Sequence, residues 1–233
     1  MNYVDISETF YSIQGEGKTA GVPAVFLRVK DCTLDCIWCD TAEVWKRGGR
    51  ISIDDIIDYW NKEGWLSKLK KNQVHLILTG GSPVAKQRQL VELLRELDLD
   101  GIRPYTEVET ECVVLPGVDF DSFISQYNCS PKLSNSLMPK ERRYKPEVVK
   151  WHVTNHRSIF KFVIENKADA NEAIKEYIKP FNISQSRVYL MSQASSRQEL
   201  IERDKLVVEL AKEYGFNFSP RLQIYIWDQK TGI

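Results

Sequence analysis

Short apolar stretches alternate along the chain with segments whose apolar residues recur every three or four positions. The apolar stretches predict β-strands at residues 24–29, 74–79, 105–110, 159–164, 188–191 and 222–227. The periodic segments predict helices from residue 52, around 90–97, over 120–127, over 169–178 and from 196 to about 214. Strands separated by helices predict a parallel sheet that is built from βαβ units.

The number of strands limits the kind of α/β fold. About six strands are too few for a closed eight-stranded barrel, so we predict a partial, open TIM-like barrel of about six parallel strands with few helices. Residues 130–156 carry three prolines and little periodicity, and we expect a loop there in place of a helix. Because no repeat and no shift in composition divides the chain, we expect residues 1–233 to form a single domain.

The composition has no bias in charge. The 32 basic and 32 acidic residues cancel, which argues against the basic surface of a nucleic-acid-binding domain. Five cysteines, three of them crowded together, favour a reducing compartment over a disulfide framework. No apolar run reaches about 18 residues and no secretory signal is visible, so we expect a cytoplasmic protein without nucleic-acid or membrane partners.

The three crowded cysteines follow the first predicted strand with the spacing CxxxCxxC. Cys32, Cys36 and Cys39 offer one thiolate fewer than a structural zinc ion or an ordinary iron–sulfur cluster takes. A [4Fe–4S] cluster held by three thiolates keeps one iron free to bind S-adenosylmethionine (SAM) and cleave it reductively. With Trp38 before the last cysteine, the motif resembles the radical-SAM signature. The alternatives are a zinc knuckle that lacks one ligand and a chance clustering of cysteines.

Polar and glycine-rich loops follow the later predicted strands, at residues 79–83, 107–111 and 130–132. Ligands of parallel α/β folds bind at the carboxyl ends of the strands, so we expect these loops to converge with the cysteine loop on one site. Gly80 and Gly81 allow close approach of the backbone, and we expect them at the methionine end of SAM.

The segment before the cysteines carries a more specific resemblance. Residues 12–17 (SIQGEG), 21–23 (GVP), 26–28 (FLR) and 39–41 (CDT) closely resemble the N-terminal part of the 7-carboxy-7-deazaguanine synthase family. Further segments fall in the family's order over nearly the whole chain, at 79–83, 109–110, 130–132, 161–163 and 219–222. Radical-SAM enzymes at large share the cysteines but neither the QGEG nor the CDT segment.

This resemblance implies a radical-SAM lyase of 7-deazaguanine (queuosine or preQ0-type) biosynthesis. Family members contract the ring of 6-carboxy-5,6,7,8-tetrahydropterin to 7-carboxy-7-deazaguanine with loss of ammonia, after a 5′-deoxyadenosyl radical has taken a hydrogen from C6. SAM is regenerated, so the implied cofactors are a [4Fe–4S] cluster, SAM and Mg²⁺. The implied partners are the pterin substrate, an external one-electron donor of flavodoxin or ferredoxin type, and a second copy of the chain in a homodimer.

The resemblance also implies roles for individual residues. The cluster ligands, which we class as catalytic, are Cys32, Cys36 and Cys39. The positions that bind SAM match Trp38, Asp40, Gly81, Ser130, Pro131, Lys132, Ser192 and Gln193. The positions that bind substrate match Ile13, Gln14, Gly15, Arg28 and Thr79, with Arg28 as a bidentate partner of a carboxylate. Thr41 matches a magnesium ligand, and the alternative is that its hydroxyl caps a loop.

Several positions depart from the family's pattern. Ser82 stands where the GGEP loop has glutamate, so a carboxylate contact to the ammonium group of SAM is lost. Glu111 and Cys112 replace the usual Asn-Gly, and Gln223 replaces a histidine. These changes suggest a divergent branch of the family. Cys112 and Cys129 could supply a fourth ligand or a redox thiol, although such cysteines more often pack as small apolar side chains.

Two other functional classes remain open on the sequence. One is a different radical-SAM enzyme, such as a glycyl-radical activase, although the further cysteine clusters that activases often carry are not visible here. The other is a non-catalytic iron–sulfur or zinc-binding module. Metal analysis and the absorbance of the reconstituted protein separate these classes, because zinc is colourless and a [4Fe–4S] centre is brown.

Overall fold

The structure is a computed structural model that describes residues 2–233. Its strands are β1 (Tyr3–Ile13), β2 (Pro23–Val29), β3 (Gly49–Ser52), β4 (His75–Gly80), β5 (Thr106–Thr110), β6 (Gln126–Cys129), β7 (Ser158–Ile164), β8 (Val188–Ser192) and β9 (Asn217–Ser219). They form one sheet in the order β3-β1-β2-β4-β5-β6-β7-β8-β9. Strand β1 pairs antiparallel with β2 and β3, whereas all pairs from β2 to β9 are parallel.

Helices of varied length connect the strands. They are α1 (Ala42–Trp45), α2 (Ile53–Lys62), α3 (Trp65–Lys70), α4 (Gln87–Leu99), α5 (Val118–Asp121), α6 (Lys140–Arg143), α7 (Pro146–Thr154), α8 (Lys167–Ala173), α9 (Arg197–Tyr214) and α10 (Leu222–Trp227). Within residues 2–233, none of the helices is both long enough and apolar enough to cross a membrane.

The sheet is open, and it curves so that the chain beyond β1 meets the chain beyond β9. The Leu222 N–H donates to the Gly15 carbonyl (3.0 Å), and the Gly17 N–H donates to Ser219 Oγ (2.8 Å). The predicted open α/β fold is confirmed. Its parallel part has seven strands, β2 and β4 to β9, instead of about six, and the two antiparallel strands lie at one edge.

The helices that the sequence predicts most clearly bury the predicted stripes. On α4 the leucines of the stripe are at most 3% exposed, namely Leu90, Leu93, Leu94 and Leu97. Helix α2 begins where Ser52 Oγ accepts the Asp55 N–H (3.0 Å), and it buries Ile53, Ile56 and Trp60. A side-chain cap thus marks the start of α2, and apolar periodicity sets the face of both helices that packs against the rest of the core.

Residues 120–127, predicted as a helix, hold the end of α5 and the start of β6. Strand β6 pairs with β5 and β7. Gln126 and Asn128 on β6 donate to Glu107 on β5 (3.2 and 2.8 Å), and this polar pairing requires alternate residues of a strand to share one face. Contacts between strands that are distant in sequence override the local periodicity, and the helix prediction is wrong.

Two further predicted elements are wrong. Residues 222–227, predicted as a strand, form α10, because β9 already completes the edge of the sheet and Ile224 is the residue of this helix that is buried. Residues 130–156, predicted as a loop, contain α6 and α7. Helix α7 begins at Pro146, and proline is favourable at the first position of a helix because the missing N–H has no partner there.

Candidate active site

A cavity of about 540 Å³ lies at the carboxyl ends of the parallel strands. The predicted site residues that line it are Ile13, Gln14, Gly15, Arg28, Cys32, Cys36, Trp38, Cys39, Asp40, Thr41, Thr79, Gly81, Ser130, Lys132 and Gln193. Pro131 is buried and does not line the cavity, and Ser192 is buried with its hydroxyl donated to Asp204 (2.5 Å). The expected convergence of the loops therefore holds for nearly the whole predicted set.

The cysteine loop follows β2 and presents three partly buried free thiols to the cavity. Cys32 Sγ accepts from the Leu34 N–H (3.4 Å) and lies 3.6 Å from Ser82 Oγ, and Cys39 Sγ accepts from Trp45 Nε1 (3.4 Å). Burial raises the pKa of Cys32 and of Cys36, so both are protonated near neutral pH until a metal displaces the proton.

The two remaining cysteines lie elsewhere. Cys112 and Cys129 are at most 1% exposed, belong to the hydrophobic core and do not line the cavity. Their sulfur atoms and a ring nitrogen of His152 all lie within 4.8 Å of one another. Neither cysteine lines the cavity beside the cysteine loop. Burial raises the pKa of the Cys129 thiol, but hydrogen bonds with Cys112 and His152 outweigh burial and lower it, so the two thiols make polar contacts within the core.

Gly80 and Gly81 line the cavity, yet the reason for glycine lies within the protein. A Cβ atom would lie 2.3 Å from the Val29 carbonyl oxygen at Gly80, and 1.8 Å from the Asp31 carbonyl oxygen at Gly81. The Gly81 N–H donates to the Val29 carbonyl (3.1 Å). The glycines therefore let this loop pack directly against the start of the cysteine loop, a role that the sequence prediction did not include.

The QGEG segment follows β1 and contributes Gln14, Gly15 and Glu16 to the lining of the cavity. Gln14 Nε2 donates to Glu109 (3.2 Å) and is 3.5 Å from Glu107, and Gln14 Oε1 accepts the Glu16 N–H (3.2 Å). Gly15 packs against Gln223, because a Cβ atom there would lie 1.7 Å from Gln223 Oε1. These contacts hold Ile13, Gln14 and Gly15 along the wall of the cavity.

A buried ionic network lies at the inner end of the cavity. Lys161 Nζ, on a side chain that is 1% exposed, donates to Glu16 (2.9 Å) and to Glu109 (2.8 Å). Arg221 donates to Glu16 Oε1 (3.3 Å) and to Asp40. Two cations and three carboxylates thus alternate between the segments that follow β1, β2 and β9 and strands β5 and β7.

The network shifts the pKa values of its members. Burial raises the pKa of Glu16, but the attraction of Lys161 and Arg221 is larger and lowers it to about 2. At Glu109 burial is the larger influence, and its pKa is raised in spite of Lys161. Burial alone would lower the pKa of Lys161, but Glu109 and Glu16 raise it above its usual range. At neutral pH Lys161 and Glu16 are therefore fully charged.

Arg28 and Thr79 lie side by side on neighbouring strands, in register on β2 and β4. Arg28 Nε donates to Glu8 (2.8 Å), and the guanidinium carbon lies 6.0 Å from the centre of the Phe10 ring. Its two terminal nitrogens have no protein partner among residues 2–233 and border the cavity. Glu8 thus holds the guanidinium group through Nε. The two terminal nitrogens are left to pair with the two oxygens of a carboxylate.

Thr41 lies at the beginning of α1, but its side chain makes no cap hydrogen bond. Its hydroxyl oxygen lies 3.7 Å from Cys39 Sγ, and Thr41 lines the cavity. The alternative that this hydroxyl serves as a loop cap is therefore wrong. Thr41 thus places a hydroxyl group next to Cys39 among the residues that line the cavity.

The cavity wall between β6 and the cysteine loop is polar, and one of its hydrogen-bond donors has no partner among residues 2–233. Lys132 Nζ donates to Ser130 Oγ (2.9 Å) and lies 5.4 Å from the centre of the Trp38 ring. Trp38 Nε1 is buried and has no hydrogen-bond partner. On the far wall, Gln193 accepts from Arg203 through both its backbone and side-chain carbonyls. An unpartnered indole N–H beside three thiols fits a bound polar cofactor rather than an empty apolar cleft.

Several charged cavity residues belong to segments that match the family but have no role predicted from the sequence. They are Glu16, Glu109, Lys161 and Arg221, together with Glu111, which departs from the family's pattern. The available signal was alternation: Glu107, Glu109 and Glu111 are two residues apart, and alternate residues of a strand share one face. Glu107 is 0% exposed and accepts from His75 (2.7 Å), Thr19 (2.9 Å) and Asn128 (2.8 Å).

Three thiols beside the opening of a half-closed parallel α/β barrel, with polar groups converging on one cavity, define an iron–sulfur enzyme of the radical-SAM class. The family described as "4Fe-4S single cluster domain" matches residues 13–133. The solved structure titled "Crystal structure of QueE from Escherichia coli" has the same fold, with a TM-score of 0.67, 20% identity and 93% coverage of both chains.

Similar proteins of known name show which family of radical-SAM enzymes the chain belongs to. A protein of Pyrobaculum aerophilum is 34% identical over 98% of this chain and 97% of its own length. Proteins of Rhodopirellula baltica (31% identical, 97% of this chain and 88% of theirs) and Halobacterium salinarum (30%, 96% and 90%) are similar as well. All three are named 7-carboxy-7-deazaguanine synthase. This chain belongs to the 7-carboxy-7-deazaguanine synthase family, and neither a glycyl-radical activase nor a non-catalytic module is favoured.

Proposed function

We propose that this chain converts 6-carboxy-5,6,7,8-tetrahydropterin to 7-carboxy-7-deazaguanine and ammonia in 7-deazaguanine biosynthesis. The observation that carries the proposal is that the cysteine loop and the substrate-binding positions of the family open onto one cavity. The product differs from the substrate by ammonia alone, so the reaction needs no net oxidant.

Cys32, Cys36 and Cys39 are the proposed ligands of a [4Fe–4S] cluster, and Trp38, Gly81, Ser130, Lys132 and Gln193 border the space for SAM. Bound there, the cluster and SAM supply a 5′-deoxyadenosyl radical, and the protein supplies binding, orientation and electrostatics. Asp40 also lines this space, but it is paired with Arg221, so it acts as an anchor for the loop rather than as a free carboxylate.

The pterin is proposed to lie between the QGEG segment and Arg28. The free terminal nitrogens of Arg28 suit the substrate carboxylate, because a guanidinium fork matches two carboxylate oxygens. The Gln14 amide and the Glu109 carboxyl supply a donor and an acceptor for the polar edge of the ring. Lys161 holds Glu109 in place and keeps this wall charged.

Mg²⁺ is proposed to bind at Thr41, where a hydroxyl, the substrate carboxylate and waters would form the hard oxygen shell that this ion prefers. We further propose an external one-electron donor of flavodoxin or ferredoxin type, a homodimer and a cytoplasmic location. The resemblance to the family supports these points.

Thr41→Val is expected to retain the cluster and SAM cleavage. It should bind Mg²⁺ and substrate more weakly, so that a higher Mg²⁺ concentration is needed for the same turnover. The substitution removes one oxygen but conserves the shape of the side chain, so the loop next to Cys39 keeps its packing. The check is a titration of turnover against Mg²⁺, with Thr154→Val, at an exposed threonine outside the cavity, as the control. A titration curve identical to that of the wild type would remove Thr41 from the magnesium site.

The test of the reaction itself uses the anaerobically reduced protein with SAM and the carboxylated tetrahydropterin. Ammonia and a carboxylated deazaguanine are expected in equal amounts. Substrate deuterated at C6 is expected to pass label into SAM, because the radical that takes this hydrogen is re-formed into the cofactor. Mass spectrometry of both pools measures the outcome. A protein that cleaves SAM and leaves the pterin unchanged is a radical-SAM enzyme with another substrate.

A further inference from the structure

Glu111 is a buried carboxyl group at the end of β5 that the proposed function does not yet use. It is 6% exposed and lines the cavity. Its Oε1 atom accepts from Thr33 Oγ1 (2.5 Å) and Ser82 Oγ (2.7 Å). Ser82 Oγ is in turn 3.6 Å from Cys32 Sγ. A single hydroxyl group thus separates this carboxyl group from a proposed cluster ligand.

Glu111 has no cation, unlike the three carboxylates of the ionic network, and it is buried, unlike Asp228, an exposed cavity residue that accepts from the Arg197 backbone N–H. Glu16, Glu109 and Asp40 are each paired with Lys161 or Arg221. In the described part of the chain, no nitrogen of lysine, arginine or histidine lies within 4.0 Å of a Glu111 oxygen. A buried carboxylate without a cation is costly, so its retention at a cavity wall points to a positive group on the ligand.

We infer that Glu111 binds the α-ammonium group of SAM; the inference rests on the proposed function. SAM carries two positive groups, an ammonium and a sulfonium. Only the ammonium has N–H donors, and a carboxylate whose neighbours are both hydroxyls is suited to accept them. Glu111 lines the same cavity as Cys32, Cys36 and Cys39, where a cluster held by the three thiolates would bind the methionine end of SAM.

The inference accounts for two departures from the family's pattern together. That pattern has glutamate at position 82, where this chain has Ser82, and asparagine at position 111, where this chain has Glu111. The two side chains are in direct contact at 2.7 Å. The carboxylate that is absent from the loop after β4 is thus supplied by the neighbouring segment after β5, facing the same corner of the cavity.

The experiment measures binding by anaerobic equilibrium dialysis of the cluster-loaded protein, with SAM and with a SAM analogue that lacks the α-amino group. Glu111→Gln conserves shape and still accepts from Thr33 and Ser82, so the fold and cluster should persist. The variant is expected to bind SAM about ten- to hundredfold more weakly than the wild type. The deaminated analogue is expected to bind both proteins equally. Iron content and absorbance of each sample verify the cluster.

S-adenosylhomocysteine serves as the matched ligand, because it keeps the ammonium and lacks the sulfonium charge. Its affinity should fall by the same factor as that of SAM in Glu111→Gln; a loss for SAM alone would assign Glu111 to the sulfonium and overturn the inference. Equal binding of SAM by variant and wild type would also overturn it.

A second pair of variants tests whether a carboxylate at position 82 can replace the one at position 111. Glu111→Asn is expected to weaken SAM binding, and Ser82→Glu combined with Glu111→Asn is expected to recover most of it, because the carboxylate returns to the same corner. A wild-type protein that binds no SAM would overturn the proposed function and this inference together. Binding by the wild type with no selective loss in Glu111→Gln would overturn the inference alone.

Discussion

Replacing Cys32, Cys36 or Cys39 by alanine, one at a time, is expected to abolish the cluster and turnover together. Each thiol borders the cavity, and no other cysteine in the described chain does. With three ligands at the start, loss of one leaves two thiolates, which hold an iron–sulfur cluster poorly. Iron and sulfide analysis after anaerobic reconstitution should fall from about four irons per chain to nearly none.

The matched controls are Cys112→Ala and Cys129→Ala. Both residues lie in the core with His152 and do not line the cavity, so iron content and turnover should stay close to those of the wild type. Loss of the cluster in Cys112→Ala would contradict the argument for a free iron, because it would make Cys112 a fourth ligand.

Lys161→Met is expected to cause the largest loss of stability of any substitution in the ionic network. The side chain is 1% exposed and neutralises Glu16 (2.9 Å) and Glu109 (2.8 Å). Methionine fills a similar volume but leaves the partly buried carboxyl groups of Glu16 and Glu109 without this cation, and only Glu16 retains another, Arg221. Breaking a buried pair in this way costs about 3–5 kcal/mol in the free energy of unfolding. Urea unfolding followed by circular dichroism measures the loss at pH 7.

The difference between Lys161→Met and the wild type should depend on pH. The pKa of Glu16 is about 2 in the folded protein, below its ordinary value of 4.5, so this carboxylate stabilises the fold above pH 4.5. That contribution disappears as the pH falls from 4.5 towards 2. Burial raises the pKa of Glu109 and Lys161 lowers it, so removing Lys161 raises that pKa further and widens the gap towards neutral pH as well. The gap should therefore be widest near neutral pH and narrow in acid.

The control for this prediction is Lys167→Met, the same substitution in a lysine paired with Glu213 (2.9 Å) on the surface. Because water screens exposed ion pairs, the unfolding midpoint should remain near that of the wild type. Equal effects at positions 161 and 167 would mean that burial of Lys161 has no energetic consequence.

Local patterns were sufficient where a segment's own residues decide its structure. The leucine stripe of α4 and the caps at Ser52 and Ser196 could be read directly, because the interacting residues are three or four positions apart. The strand β6 and the helix α10 could not be predicted from their own residues. Whether 126–129 or 222–227 enters the sheet depends on which edges β5, β7 and β9 offer, and that is a property of the assembled sheet.

The candidate site also has one part that the sequence predicts and another part that depends on the tertiary structure. The sequence by itself determined the iron–sulfur chemistry, because three thiols within one loop after a strand form a nearly complete ligand set without help from elsewhere. Only the tertiary structure decided which charges meet: Lys161 with Glu16, 145 residues apart, and Ser82 with Glu111, 29 residues apart. A chain shows the types and order of its charged residues. The free energy of a buried charge depends on the partner that the fold brings within a few ångströms, so the ionic network and the unpaired carboxyl group of Glu111 became visible only after folding.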